Sequence, residues 1–85
     1  MPIVSIFYGI IISMYAADHL PPHFHAKYAE FEAQFDFNGK IIAGKFPAKK
    51  KKLIEAWTII HAEELIANWE LLNVGVNPLP IDPLK

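Results

Sequence analysis

Residues 24–42 read FHAKYAEFEAQFDFNGKII, and the parity of their apolar positions decides the fold. Phe24, Ala26 and Tyr28 alternate with His25 and Lys27, whereas Phe31, Ala33, Phe35 and Phe37 alternate with Glu32, Gln34 and Asp36. A period-two pattern marks a strand with one face toward a core, and it cannot change parity without a turn or bulge. A reversal is therefore expected at Ala29-Glu30. Asn38-Gly39 separates Phe37 from Lys40-Ile41-Ile42; because both residues tolerate positive φ, the pair predicts a second hairpin, with the sheet continuing to about Gly44.

Upstream, Ile3 to Tyr8 and Ile10 to Tyr15 are β-branched and aromatic, and Gly9 between them marks a bend, bulge or tight reversal. Their continuous apolarity predicts burial on both faces. Downstream, Pro47 suits the first turn of a helix whose apolar stripe is Leu53, Ile54, Trp57 and Ile60. A second stripe, Leu65, Ile66, Trp69 and Leu72, is out of phase with the first across His61 to Glu64, which predicts a bend or two short helices. Glu63 and Glu64 suit a helix start and Gly75 a helix end. The expected architecture is a small α+β domain over residues 1–76. An antiparallel sheet of four or five strands is followed by one bent helix or two helices packed on its apolar face. Residues 77–85, NPLPIDPLK, form a proline-rich extended C-terminal tail that lies across the core or stays free of it.

With 85 residues and no internal repeat the chain has room for one core and no second catalytic domain. The 53% hydrophobic content argues against disorder. The absence of cysteine removes disulfides, thiolate zinc sites and thiol nucleophiles, and fits a reducing cytoplasm. The apolar run from Pro2 to Ala17 lacks the basic start of a signal peptide and falls short of the roughly 20 apolar residues that cross a bilayer, so it reads as core strand and no membrane partner is expected. A net charge of −1 places any attraction for nucleic acid in a local patch. All eight bases are lysine, which disfavours bidentate reading of guanine more than it disfavours contact with RNA phosphates.

Asp18 to Tyr28, DHLPPHFHAKY, holds three of the four histidines around a proline pair. His23 and His25 are two apart at a strand start, so their side chains leave one face about 7 Å apart along the chain. Pro21 and Pro22 keep the preceding segment extended and narrow the range of positions open to His19 and Asp18. Three readings stay open. In a metal site, His23, His25 and one of His19, Asp18 or His61 would hold a divalent ion such as zinc with an open position. In proton-transfer chemistry, two histidines would act as general base and acid on an RNA phosphodiester, with Lys27 stabilising the developing charge and no cofactor required. In a purely structural role, the rings would cap the strand and stack on Phe24 or Tyr28. The absence of a cofactor is the default expectation.

Lys49, Lys50, Lys51 and Lys52 occupy the first turn of the expected helix, where the helix dipole disfavours cations. Successive residues point about 100° apart, so the run covers the whole circumference. A phosphate or an acidic protein would offset the repulsion; a solubilising, loosely ordered helix start is the bland alternative. Trp57 and Trp69 fall on the apolar stripes and are expected in the core.

FYGI at Phe7 to Ile10, Met14-Tyr15, the DHLPPHFHAKY segment and ELIANWEL at Glu64 to Leu71 resemble a family of small bacterial proteins catalogued mainly as a domain of unknown function. The similarity runs from Met1 to about Val74, and H-x-PPHFH is its most specific part. Members are often encoded beside a second small protein, and some are classed as the toxin of a type II toxin–antitoxin pair. The resemblance implies a cytosolic bacterial protein with a small protein antitoxin as partner. Its motif histidines carry over to His19, His23 and His25, beside Asp18, Pro21 and Pro22. The chain departs from relatives at Ala29, where they commonly have glycine, and in its lysine run, where they mix arginine with apolar residues.

The functional expectation is a toxin-like module acting on RNA or translation through the His19/His23/His25 face and the lysine-rich helix start. The rivals are a non-catalytic protein-interaction module and a His-ligated metalloprotein. Self-pairing of an edge strand would give a homodimer.

Overall fold

The computed structural model describes residues 2–15 and 21–85. Five strands, β1 (Ile3–Phe7), β2 (Ile10–Ser13), β3 (His23–Tyr28), β4 (Phe31–Asp36) and β5 (Ile41–Gly44), form one antiparallel sheet in the order β1-β2-β3-β4-β5. Two helices follow, α1 (Ala48–Ile60) and α2 (Ala62–Asn73). This is the expected α+β fold, with all five strands present.

Each strand connection has a local cause. Tyr8 and Gly9 both carry positive φ, 51° and 78°, the left-handed pair whose twist suits a two-residue hairpin. The parity switch falls at Ala29-Glu30, where Ala29 has φ 52° and Tyr28 pairs with Phe31. Antiparallel partners share a face, so the switch sets Phe24 opposite Phe35 and Ala26 opposite Ala33, all four buried.

The Asn38-Gly39 hairpin forms by a different route from the one its sequence suggests. Only Gly39 of the two has positive φ, 83°. The loop closes instead through Asp36, whose backbone N–H donates to Lys40 O at 2.9 Å and whose Oδ1 accepts from the N–H groups of Asn38 and Lys40 at 2.9 and 3.0 Å. A carboxylate that holds the loop amides removes the need for a second left-handed residue. Gly39 is buried under α1, where a Cβ would meet Thr58 Oγ1 at 2.9 Å and Glu55 Cα at 3.0 Å.

Burial on both faces, expected for β1 and β2, fails for β1, whereas in β2 the consecutive residues Ile12 and Ser13 are both buried and Ile11 is half-buried. The helices cover one face of the sheet, and on the other Ile3 and Ile6 are 49% and 57% exposed. A bulge between Ile3 and Ser5 turns both Val4 and Ser5 inward, leaving the Ser5 hydroxyl buried with no hydrogen-bond partner among the described residues.

Pro47 caps α1 from outside the first turn, with extended backbone. The chain breaks at His61, whose φ is −112°, into two helices, and His61 stays bonded to both: its N–H donates to Trp57 O at 2.9 Å and its carbonyl accepts from Leu65 N at 3.0 Å. Ile54, Trp57 and Thr58 point inward from α1, and Leu65, Asn68, Trp69 and Leu72 from α2. Ile60 and Ile66, expected on the apolar stripes, are 63% and 51% exposed. Thr58 and Asn68 take inner positions because their polar atoms are satisfied there. The Thr58 hydroxyl shares its proton between Ile54 O and Glu55 O at 3.0 and 2.7 Å. Helix α2 ends in paired bonds from Val76 N to Leu71 O at 2.9 Å and from Gly75 N to Leu72 O at 3.1 Å, a Schellman closure.

Residues 77–85 pack as a strap without helix or strand. Asn68 brackets the Leu79 backbone, accepting from its N–H at 2.9 Å and donating to its carbonyl at 2.8 Å. Ile81 N donates to Val4 O at 2.7 Å, the Ile81 side chain is buried, and Trp57 Nε1 donates to Asp82 O at 2.9 Å. Asn68→Ala removes both bonds to Leu79 and is expected to cost about 1–3 kcal/mol. Hydrogen exchange checks this: the Leu79 and Ile81 amides should lose protection well before the strand amides do.

Candidate functional site

The uncovered face of the sheet carries the candidate site. Ser13, His25, Gln34 and Ala43 pair in sequence across β2, β3, β4 and β5, forming one transverse row. Ile11, Lys27 and Glu32 form the next row. The positions between them, Ile12, Ala26 and Ala33, face the helices and are buried. A shallow concavity of about 470 Å³ lies over the two rows, bounded by Tyr15, His25, Lys27, Gln34 and the apolar flank of Ile3 and Ile11.

His23 and His25 emerge at the start of β3, with ring centroids 5.2 Å apart. His23 Nδ1 lies 2.9 Å from Pro21 O. A carbonyl only accepts, so Nδ1 carries a hydrogen and donates it there. His23 is 6% exposed and its ring also packs 5.7 Å from that of Trp69 on α2. His25 is half-buried and takes Tyr15 edge-on at 4.6 Å. His25 is thus the imidazole that reaches the concavity, with His23 set behind it. Lys27 Nζ lies 3.6 Å from Glu32 Oε1, and both side chains are mostly exposed, so this pair leaves the lysine available to an anion at little cost.

The other sequence-derived candidates are distributed elsewhere. His19 and Asp18 lie outside the described residues. His61 sits at the helix break, with Nδ1 2.6 Å from Glu64 Oε1 and its ring 5.7 Å from that of Trp57. Among the described residues no three histidine or carboxylate side chains are grouped to hold a metal ion, so His61 does not complete a set with His23 and His25. The metal reading now depends on His19 or Asp18.

Lys49 to Lys52 start α1 with no side-chain cap and no acid in the first turn. Lys50 is engaged within the molecule: Nζ donates to Tyr8 O at 3.1 Å and lies 4.6 Å from the Tyr28 ring centroid. It clamps the helix start onto the β1–β2 turn, and Lys49 and Lys52 remain exposed. Tyr28 ends the strand that His23 begins, and five residue steps at 3.3 Å put the lysine clamp about 17 Å along β3 from the histidine pair. The histidines and the lysine run therefore form two separate regions.

Ser13, Tyr15 and Gln34 are site residues that the histidine motif does not announce. The alternation of Gln34 with Phe35 assigns it to the His25 face, and Tyr15 lies two positions beyond Ser13, but only the β2–β3–β4 register brings the three together.

No helix among the described residues is long and apolar enough to cross a membrane. A family model described as "Domain of unknown function (DUF4160)" matches residues 9–70. No curated protein and no solved structure matches the chain.

Proposed function

The chain belongs to the DUF4160 family of domains of unknown function, and we propose that its uncovered sheet face engages single-stranded RNA, as the toxin-like component of a pair with a small protein antitoxin. The observation that carries the reading is the placement of His25 in the wall of the concavity, between Tyr15 and Gln34 and backed by His23. Open antiparallel sheets bind single strands by stacking bases on aromatic rings and holding phosphates with nearby cations. Tyr15 and His25 supply the rings here, and Lys27 supplies the cation. In phosphodiester cleavage His25 would take the 2′-hydroxyl proton as that oxygen attacks the phosphorus and, as imidazolium, return it to the departing 5′ oxygen, leaving a 2′,3′-cyclic phosphate, with His23 behind it fixing the ring. The toxin–antitoxin assignment is supported by the resemblance of the DH-x-PPHFH segment alone.

The test uses purified protein and an unstructured RNA oligonucleotide. The wild type should bind at low salt and cleave. His25→Ala should keep its fold, bind RNA more weakly and, at saturating RNA, lose about 10²–10⁴ in cleavage rate, and Lys27→Ala should weaken binding and flatten its salt dependence. A folded wild type that neither binds RNA nor slows translation on expression would end this reading.

A second reading rests on the exposed Ile3 and Ile6 beside the concavity, which form an apolar flank suited to a protein partner. In that case Ile6→Asp abolishes capture of the partner while His25→Ala does not.

A further inference from the structure

Ile3, Ser13, His25, Gln34 and Ala43 pair in succession across all five strands, so one row of side chains crosses the whole uncovered face. The ends of the row are apolar, and its three middle positions can hydrogen-bond. Gln34 is half-buried in the wall of the concavity, and no hydrogen bond to a described residue engages its amide. Tyr15 lies on the other side of His25, two positions beyond Ser13, and meets the imidazole edge-on at 4.6 Å. The strands that position Tyr15 and Gln34, β2 and β4, are two strand spacings apart, about 10 Å. A phosphodiester held at His25 therefore has room for one nucleotide toward Tyr15 and one toward Gln34. The two sides differ in chemistry. An aromatic ring stacks on any base, whereas an amide distinguishes bases by the order of donors and acceptors along their edges.

We propose that Gln34 is a specificity-determining residue of this face and selects adenine in the nucleotide on the β4 side of His25. The inference rests on the RNA reading above and adds a base preference to it. A carboxamide presents an acceptor and a donor side by side, the complement of the N6 amino group and N7 of adenine. Guanine offers two acceptors on that edge, so one of them would face the amide oxygen. Cytosine and uracil each offer a single hydrogen-bonding group there. Tyr15 adds affinity without discrimination, because every base has a face to stack.

Fluorescence anisotropy with short oligoadenylate, oligouridylate and oligocytidylate at one salt concentration tests the assignment. The wild type should bind oligoadenylate about tenfold more tightly than either of the others. Gln34→Ala should erase that difference. Gln34→Glu exchanges the donor for a second acceptor; it should weaken binding throughout by its charge and move the preference to oligocytidylate, whose N4 amino group a carboxylate accepts. Tyr15→Ala should weaken all three complexes alike, which separates stacking from reading. Both Gln34 variants should melt close to wild type, since the amide holds no other part of the fold. Three results overturn the proposal: equal wild-type affinity for the three oligonucleotides, an adenine preference that survives in Gln34→Ala, or an unchanged preference in Gln34→Glu. Each of these leaves RNA binding itself standing, whereas a folded wild type that binds none of the three oligonucleotides overturns the RNA reading and this inference with it.

Discussion

Trp57→Ala is expected to cost about 4–5 kcal/mol and to leave the domain at the margin of folding. Trp57 is fully buried, with its ring 5.3 Å from Phe7 and 5.6 Å from Phe24, so removing the indole opens a cavity between sheet and helix. Large-to-small changes of this kind cost about 3–5 kcal/mol, and the bond to Asp82 O adds to that. A domain of 85 residues has a total stability of roughly 4–13 kcal/mol. Urea unfolding followed by far-UV circular dichroism would measure the loss. Trp57→Phe separates the two contributions, because it keeps most of the ring and loses only the N–H; its midpoint should lie much nearer wild type. Equal destabilisation by both variants would mean that the strap bond, and not packing, dominates.

Gly44→Ala is expected to detach β5. Gly44 has φ 84°, and a Cβ there would collide with the carbonyl oxygen of Glu32 and lie 2.9 Å from Ala33 Cα. Both obstacles are backbone of the paired strand, so no rotamer change relieves them. The strain of a left-handed alanine adds to the collision, and the combined loss should be about 2–4 kcal/mol. Amide exchange would show it locally, with protection lost on the β4 amides that face β5 and retained across β2 and β3. Ala43 and Gly44 also border the concavity, so RNA affinity should fall in the same variant. Undiminished protection along the outer edge of β4 would contradict this account of the sheet.

Contacts close in sequence were the legible part of this fold. The parity change at Ala29-Glu30 marks a reversal through a few consecutive residues and a hairpin is present there; Gly9 between two apolar runs left a bend, a bulge or a tight reversal open, and the β1–β2 pairing makes it the last of these. Coverage was not legible. Ile3, Ile6 and Ile11 read as core by hydropathy, but two helices on one side of a five-stranded sheet leave its other side open. Thr58 and Asn68 lie inside although neither belongs to the apolar stripes, and the partners that satisfy Asn68 are in the strap, 11 residues away. In the candidate site, period-two alternation sufficed to pair His23 with His25. It could not bring in Tyr15 and Gln34, which reach His25 through β2 and β4. The lysine run looked like one feature, whereas a contact 42 residues away draws Lys50 into the scaffold and leaves Lys49 and Lys52 outside.

The bond from Ile81 N to Val4 O joins the first strand to the strap across nearly the whole sequence. During synthesis, β1 and its hairpin leave the ribosome while the strap is still being made. The outer edge of β1 at Val4 then waits without its partner until residue 81 is available. This closure has a high contact order and is slow to search for. The strap therefore closes the domain after its hairpins have formed, and the β1 edge is the part of the sheet that stays open to solvent longest during folding.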